Sequence, residues 1–133
     1  MREIRTNDEE LQKFRHHPDS QPVVMLNLLR FKSSTDRGES GLAAYARYMQ
    51  NAARFLEQVG GRLLWQGTAD QLIIGGPEDR WDRVLLVEYP SRAAFLQMVG
   101  NPEFQAVQVD RKAALEETVL IATTTERSTL GPE

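Results

Sequence analysis

Two polar residues interrupt strand-like segments that are otherwise apolar. Asn27 lies in PVVMLNLLRF, residues 22–31, and Glu88 in DRVLLVEY, residues 82–89. A polar side chain in an apolar surround must find partners. Burial also raises the pKa of a carboxylate toward the range where it serves as a general base or acid. Placed on adjacent central strands, both residues are expected on the open face of one sheet, with Arg62 and Gln66 beside them on the next strand. Glu88 and Asn27 are then the catalytic candidates, the carboxylate moving a proton and the amide positioning a carbonyl oxygen. Arg62, Gln66, Tyr48, Trp65 and Arg111 are the ligand-binding candidates. The competing reading makes Glu88 half of a structural ion pair with Arg62 or Arg30.

Other residues point less sharply to chemistry. His16 and His17, with Asp19 nearby, resemble a metal cluster in composition. Adjacent histidines diverge, however, and a structural zinc needs four converging ligands, so they read as a helix end and no metal is expected. Arg92, Arg111 and Lys112 suit the mouth of an anion pocket, although the stronger reading makes Arg111 a helix-anchoring ion pair with Glu103 or neighbours on the Asp110 side. Tyr45, Tyr48 and Trp81 suit either a pocket wall or a subunit edge. Phosphate-loop, dinucleotide, GxSxG and HExxH patterns are absent, and no cofactor is expected. There is no cysteine and the net charge is −3. That composition removes thiolate chemistry and gives no field favouring nucleic acid or anionic membrane. With a charged N-terminus and no long apolar run, a cytoplasmic location is expected.

The elements that would position these residues follow from periodicity. Residues 6–16 read as a short helix with Thr6 as N-cap, stopped by Pro18. Gln21–Phe31 is the first strand, and 32–40 a polar loop of the kind that forms lids or stays mobile. Ser40 caps a helix running to about Val59, whose expected buried stripe is Leu42, Tyr45, Met49, Ala52, Ala53, Leu56 and Val59. Segments 62–67 and 71–74 read as one bent strand region, and 82–89 as the next strand. A helix follows Ser91, Gly100–Pro102 breaks it, a second helical piece spans about 103–115, and 118–124 is the last strand. Strand–helix–strand–strand–helix–strand is the split βαβ order of a ferredoxin-like α+β fold, with a four-stranded antiparallel sheet and an extra N-terminal helix. The expected organisation is a helical extension at 1–20, the α+β domain at 21–125 and a flexible tail at 126–133.

Helices on one side leave the other side of such a sheet bare. Alternation assigns Leu26, Leu28, Leu63, Trp65, Leu85, Val87 and Tyr89 to the helix side. Val23, Met25, Leu29, Phe31, Leu64, Val84 and Leu86 then fall on the open side. Exposing that open set forgoes on the order of 10–20 kcal/mol of burial, so a homodimer joined through its sheet faces is expected. The alternative covers that face with the N-terminal helix.

The combination of Gly60-Gly61, Asp82, Tyr89-Pro90-Ser91, the Asn101–Gln105 step and Arg111 resembles the domain-of-unknown-function family 1330 over about residues 22–124. The resemblance implies the dimeric α+β barrel superfamily. The 32–40 loop and the N-terminal helix are extra to its short members, and Ile74-Gly75 stands where many have Glu-Gly. Asn27 with Trp65 also resembles the layout of antibiotic-biosynthesis-type monooxygenases in that superfamily. Its haem-degrading members use a helical histidine, which His16 and His17 do not match. The expected function is binding of a small apolar or aromatic molecule in a pocket beside the sheet. The alternatives are a cofactor-free monooxygenase or isomerase using Glu88 and Asn27, and a non-catalytic structural or stress-related dimer.

Overall fold

The computed structural model describes residues 4–18 and 20–130. Its elements run α1 (Asp8–Arg15), β1 (Val23–Phe31), α2 (Gly41–Gln58), β2 (Arg62–Thr68), β3 (Arg83–Tyr89), α3 (Arg92–Val99), α4 (Pro102–Ala114) and β4 (Leu115–Thr123). The strands form one antiparallel sheet in the order β2-β3-β1-β4. This is the ferredoxin-like α+β arrangement with an additional N-terminal helix, and the first and third strands are central as the element order requires.

The caps are chemical. Ser40 accepts a bond from Ala43 N–H, Ser91 from Ala94 N–H and Asn101 from Glu103 N–H, each opening a helix. Asn7, not Thr6, caps α1 by accepting from Glu10 N–H. Its acids then sit in the first turn and its bases in the last, which suits the helix dipole. The buried side of α2 is Gly41, Ala44, Tyr45, Tyr48, Ala52 and Phe55. Leu42 and Ala53 turn to solvent, so the expected stripe is rotated toward the tyrosines.

Two further expectations change. Residues 71–74 are irregular chain rather than strand, and Ile73 and Ile74 are 81% and 91% exposed. The turn after them is a short 3-10 helix, Pro77–Asp79, with Asp79 accepting from Gly76 N–H. The last strand begins at Leu115, directly off α4. Glu117 stands opposite Arg30 and takes its guanidinium. A register shift at Arg30/Phe31 absorbs the change from helix to strand.

The face assignment of β1 is reversed. Register sets Met25 opposite Val87, Asn27 opposite Leu85 and Leu29 opposite Arg83, and Val23, Met25, Leu29, Leu85 and Tyr89 are core with the helices. Leu26 and Leu28, with Val84 and Leu86, therefore lie on the open side. Both sets are aliphatic, so alternation alone carried no sign. On the helix side, Phe104 meets Phe55 edge-on at 5.8 Å and Tyr48 at 6.4 Å, joining α4 to α2. α1 docks on α3, with Phe14 edge-on to Phe95 at 5.5 Å and Arg92 over Phe14. It does not shield the open face.

The 32–40 segment is fastened rather than lid-like. Thr35 is buried, and its neighbours bond back onto it through Thr35 N–H to Glu39 O, Gly38 N–H to Thr35 O and Arg37 N–H to Thr35 Oγ1. Arg47 grips Glu39 and Asp110 together at 2.6–3.1 Å, tying loop, α2 and α4. The loop closes at Gly41, where a Cβ would strike the Ala114 carbonyl and the Lys32 backbone. Gly41→Ala is therefore expected to lower stability by about 1–3 kcal/mol. Urea unfolding checks this, and an unchanged midpoint would show that the loop yields.

Candidate functional site

The sheet separates the residues that the sequence brought together. Glu88 stands opposite Val24 on one side and Arg62 on the other, on the open face. Asn27, opposite Leu85, faces the helices. The proposed Glu88–Asn27 pair thus lies across the thickness of the sheet and does not converge on one substrate atom. A bulge between Leu63 and Trp65 produces two further reversals. Trp65 pairs with Leu86 and lies on the open face, 46% exposed, while Gln66 pairs with Leu85 on the helix side. A bulge adds one residue and inverts the alternation beyond it.

On the open face Arg62 Nε donates to Glu88 Oε1 at 3.0 Å. Both side chains are part-exposed, so this ion pair is worth at most about 1 kcal/mol. Glu88 also lines a hollow of about 190 Å³ with Pro22, Leu64, Thr124 and Leu130 among its walls. At the other end of β1, Arg30 holds Glu117 and the Arg80 carbonyl (Nε to O, 2.9 Å) and stacks over Trp81 at 4.7 Å. Asp82, the acid before β3, fixes the strand start by accepting from Phe31 N–H at 2.8 Å.

On the helix side the polar atoms gather around tyrosines. All three tyrosines of the chain, Tyr45, Tyr48 and Tyr89, are buried here. Tyr45 and Tyr48 stack with centres 5.3 Å apart. Burial raises all three hydroxyl pKa values, that of Tyr48 to about 12. The Arg111 guanidinium beside Tyr45 opposes that rise in part. Asp110, the neighbour of Arg111 in sequence, is held by Arg47. Asn27 is only part-buried although it is mid-strand beneath helices, and its Nδ2 bonds to the Met25 carbonyl at 3.2 Å. Tyr48, Arg111, Asn27 and, at the edge strand, Gln66 therefore share one layer. Arg83 and Tyr89 belong with them and were not singled out. The available signal was a charge at 83 in phase with core residues Leu85 and Tyr89.

Among the described residues no group of three or more His, Asp or Glu could hold a metal ion. His16 and His17 end α1, and Asp19 lies outside the described residues. No described helix is long and apolar enough to cross a membrane.

Residues 40–125 match the family described as Domain of unknown function (DUF1330). A crystal structure of a protein of unknown function from Rhodopseudomonas palustris is 32% identical. It superposes with a TM-score of 0.88 over 96% of this chain and 100% of that one. SnoaB, a cofactor-independent oxygenase from Streptomyces nogalater, shares the fold at 12% identity, TM-score 0.56, covering 82% of this chain and 97% of its own. So does a dimeric protein of unknown function and ferredoxin-like fold from Bacteroides fragilis, at 12% identity, TM-score 0.53, over 78% and 96%. No curated protein matches.

The tyrosine layer has a pH signature. A raised hydroxyl pKa means that the unfolded chain ionises first. The associated stability is thus present below the ordinary value of 10.0 and is lost as pH rises through the folded values. Ultraviolet titration of the native protein is expected to show no tyrosinate near pH 10 and a cooperative appearance on alkaline unfolding. A fraction titrating reversibly at 10 would place a tyrosine in water.

Proposed function

The chain belongs to the DUF1330 family, and from that premise we propose that it acts as a homodimer whose subunits each bind a small aromatic or apolar molecule in the layer between sheet and helices. The observation carrying the ligand reading is the placement of Asn27. A part-buried amide at the middle of a central strand, on the covered face that also carries Tyr89 and faces the α2 side bearing Tyr45 and Tyr48, is a polar group among apolar and aromatic ones. Ligand pockets combine apolar walls with a few such groups. Arg111 and Tyr48 stand in the same layer, and Gln66 lies toward its open edge.

Dimerisation is supported from the opposite side of the sheet. Leu26, Leu28, Val84, Leu86 and Val119 are left part-exposed there, with Trp65 and Ile121 each 46% exposed. α1 is committed to α3. A contiguous patch of this kind marks an interface, and a face-to-face pairing can cover the ~800 Å² per subunit of a standard contact. The Bacteroides fragilis protein with this fold is described as dimeric. A second reading places chemistry at Glu88, because that carboxylate lines a hollow which a partner subunit would roof. Asn27, across the sheet, then takes no part.

Leu86→Asp is expected to yield monomer or aggregate, read by sedimentation or light scattering at micromolar concentration. A soluble wild-type dimer in this variant would remove the sheet face from the interface. Asn27→Leu is expected to keep the dimer and to weaken binding of a neutral aromatic probe, naphthamide, several-fold, the worth of one hydrogen bond. Unchanged naphthamide affinity, measured by calorimetry, would exclude Asn27 as the anchor.

A further inference from the structure

Two part-buried arginines converge on one aromatic pair without an acid between them. Arg83 rises from the start of β3 with its guanidinium carbon 5.2 Å from the Phe31 ring centre. Phe31 in turn packs against Tyr45, ring centres 5.4 Å apart. Arg111, on α4, lies close enough to the same Tyr45 for its positive charge to favour the ionised hydroxyl. Among the described residues neither arginine forms an ion pair with a carboxylate.

Carboxylates are not scarce, since the chain has 19 acidic residues against 16 basic ones. The acids adjacent to these two arginines in sequence, and Glu39, are engaged elsewhere. Asp110, next to Arg111, and Glu39 both hold Arg47. Asp82, next to Arg83, accepts from the Phe31 N–H. The remaining part-buried arginines are also accounted for. Arg30, Arg47 and Arg62 each have a carboxylate, and Arg92 stacks on Phe14. Like charges drawn partly out of water beside a buried ring cost free energy unless an anion joins them. The planar guanidinium fork matches a carboxylate in geometry and charge.

We propose that Arg83 and Arg111, with the Tyr45 hydroxyl, form the anion-binding end of the ligand site, so that the ligand is an aromatic or apolar carboxylic acid. The ring of that acid lies in the tyrosine layer and its carboxylate at the Arg83–Arg111 corner. This assignment rests on the layer between sheet and helices being the binding site, and it adds the charge of the occupant.

The test compares naphthoate with naphthamide, equal in shape and different in charge, on the wild-type dimer and on Arg83→Gln and Arg111→Gln. Wild type is expected to bind naphthoate about 10- to 100-fold more tightly, the range for charge-assisted bonds. Each glutamine variant is expected to weaken naphthoate binding far more than naphthamide binding, bringing the two ligands close to parity, and Arg111→Lys to restore part of the preference. Arg83→Gln leaves the contact to Tyr45 in place, so the comparison stands even if Arg111→Gln unfolds. Equal binding of both probes by wild type overturns the anion assignment and leaves the pocket standing. A preference that survives both glutamine variants also overturns it. If neither probe binds, the pocket itself is excluded and the assignment falls with it.

Discussion

One constraint organises this molecule: its central strands are apolar on both faces, and its helices cover only one of them. β1 carries Val23, Met25 and Leu29 toward α2 and α4 and Leu26 and Leu28 away from them. Burying a face is the main favourable term in folding such a sheet, so the side without helices calls for a second surface of equal greasiness. The N-terminal helix is spent on α3 through Phe14 and Phe95. The fold therefore divides the sheet into an inward face covered by α2 and α4 and an outward face that no described helix covers.

Charges act as fasteners at the borders between these layers. Arg47 binds loop, α2 and α4 through two carboxylates. Arg30 and Glu117 face one another across β1 and β4 and secure the strand that leaves α4 without a loop. Arg62 and Glu88 do the same at the edge of the sheet. Each of these pairs fixes where a backbone segment lies. Arg83 and Arg111 differ: Arg83 lies over the Phe31 ring, Arg111 partly offsets the rise that burial gives the Tyr45 pKa, and neither forms an ion pair with a carboxylate among the described residues.

The helix layer carries more chemical character than the open face. Aromatic edges from Phe31 through Tyr45 and Tyr48 to Phe104 and Phe55 form a continuous wall. Asn27 is the one polar side chain of β1 on that side. The open face offers chiefly aliphatic side chains, with its polar groups already paired at the ends.

The amino-acid sequence alone determined the element order, the caps at Ser40 and Ser91, the central position of the first and third strands, and the two-faced greasiness of the sheet. These follow from local chemistry and periodicity, which act over a few residues. Which face of β1 meets the helices was not legible. Its two sides are equally aliphatic, and only the antiparallel register with β3 fixes the sign. The same register sends Asn27 and Glu88 to opposite faces, and the bulge at Leu63–Trp65 exchanges Trp65 and Gln66. The corner joining Arg83 on β3 to Arg111 on α4 depends on packing between segments distant in the chain. Tertiary structure alone decided it, because nothing in the spacing of two arginines fixes what lies between them once the chain has folded.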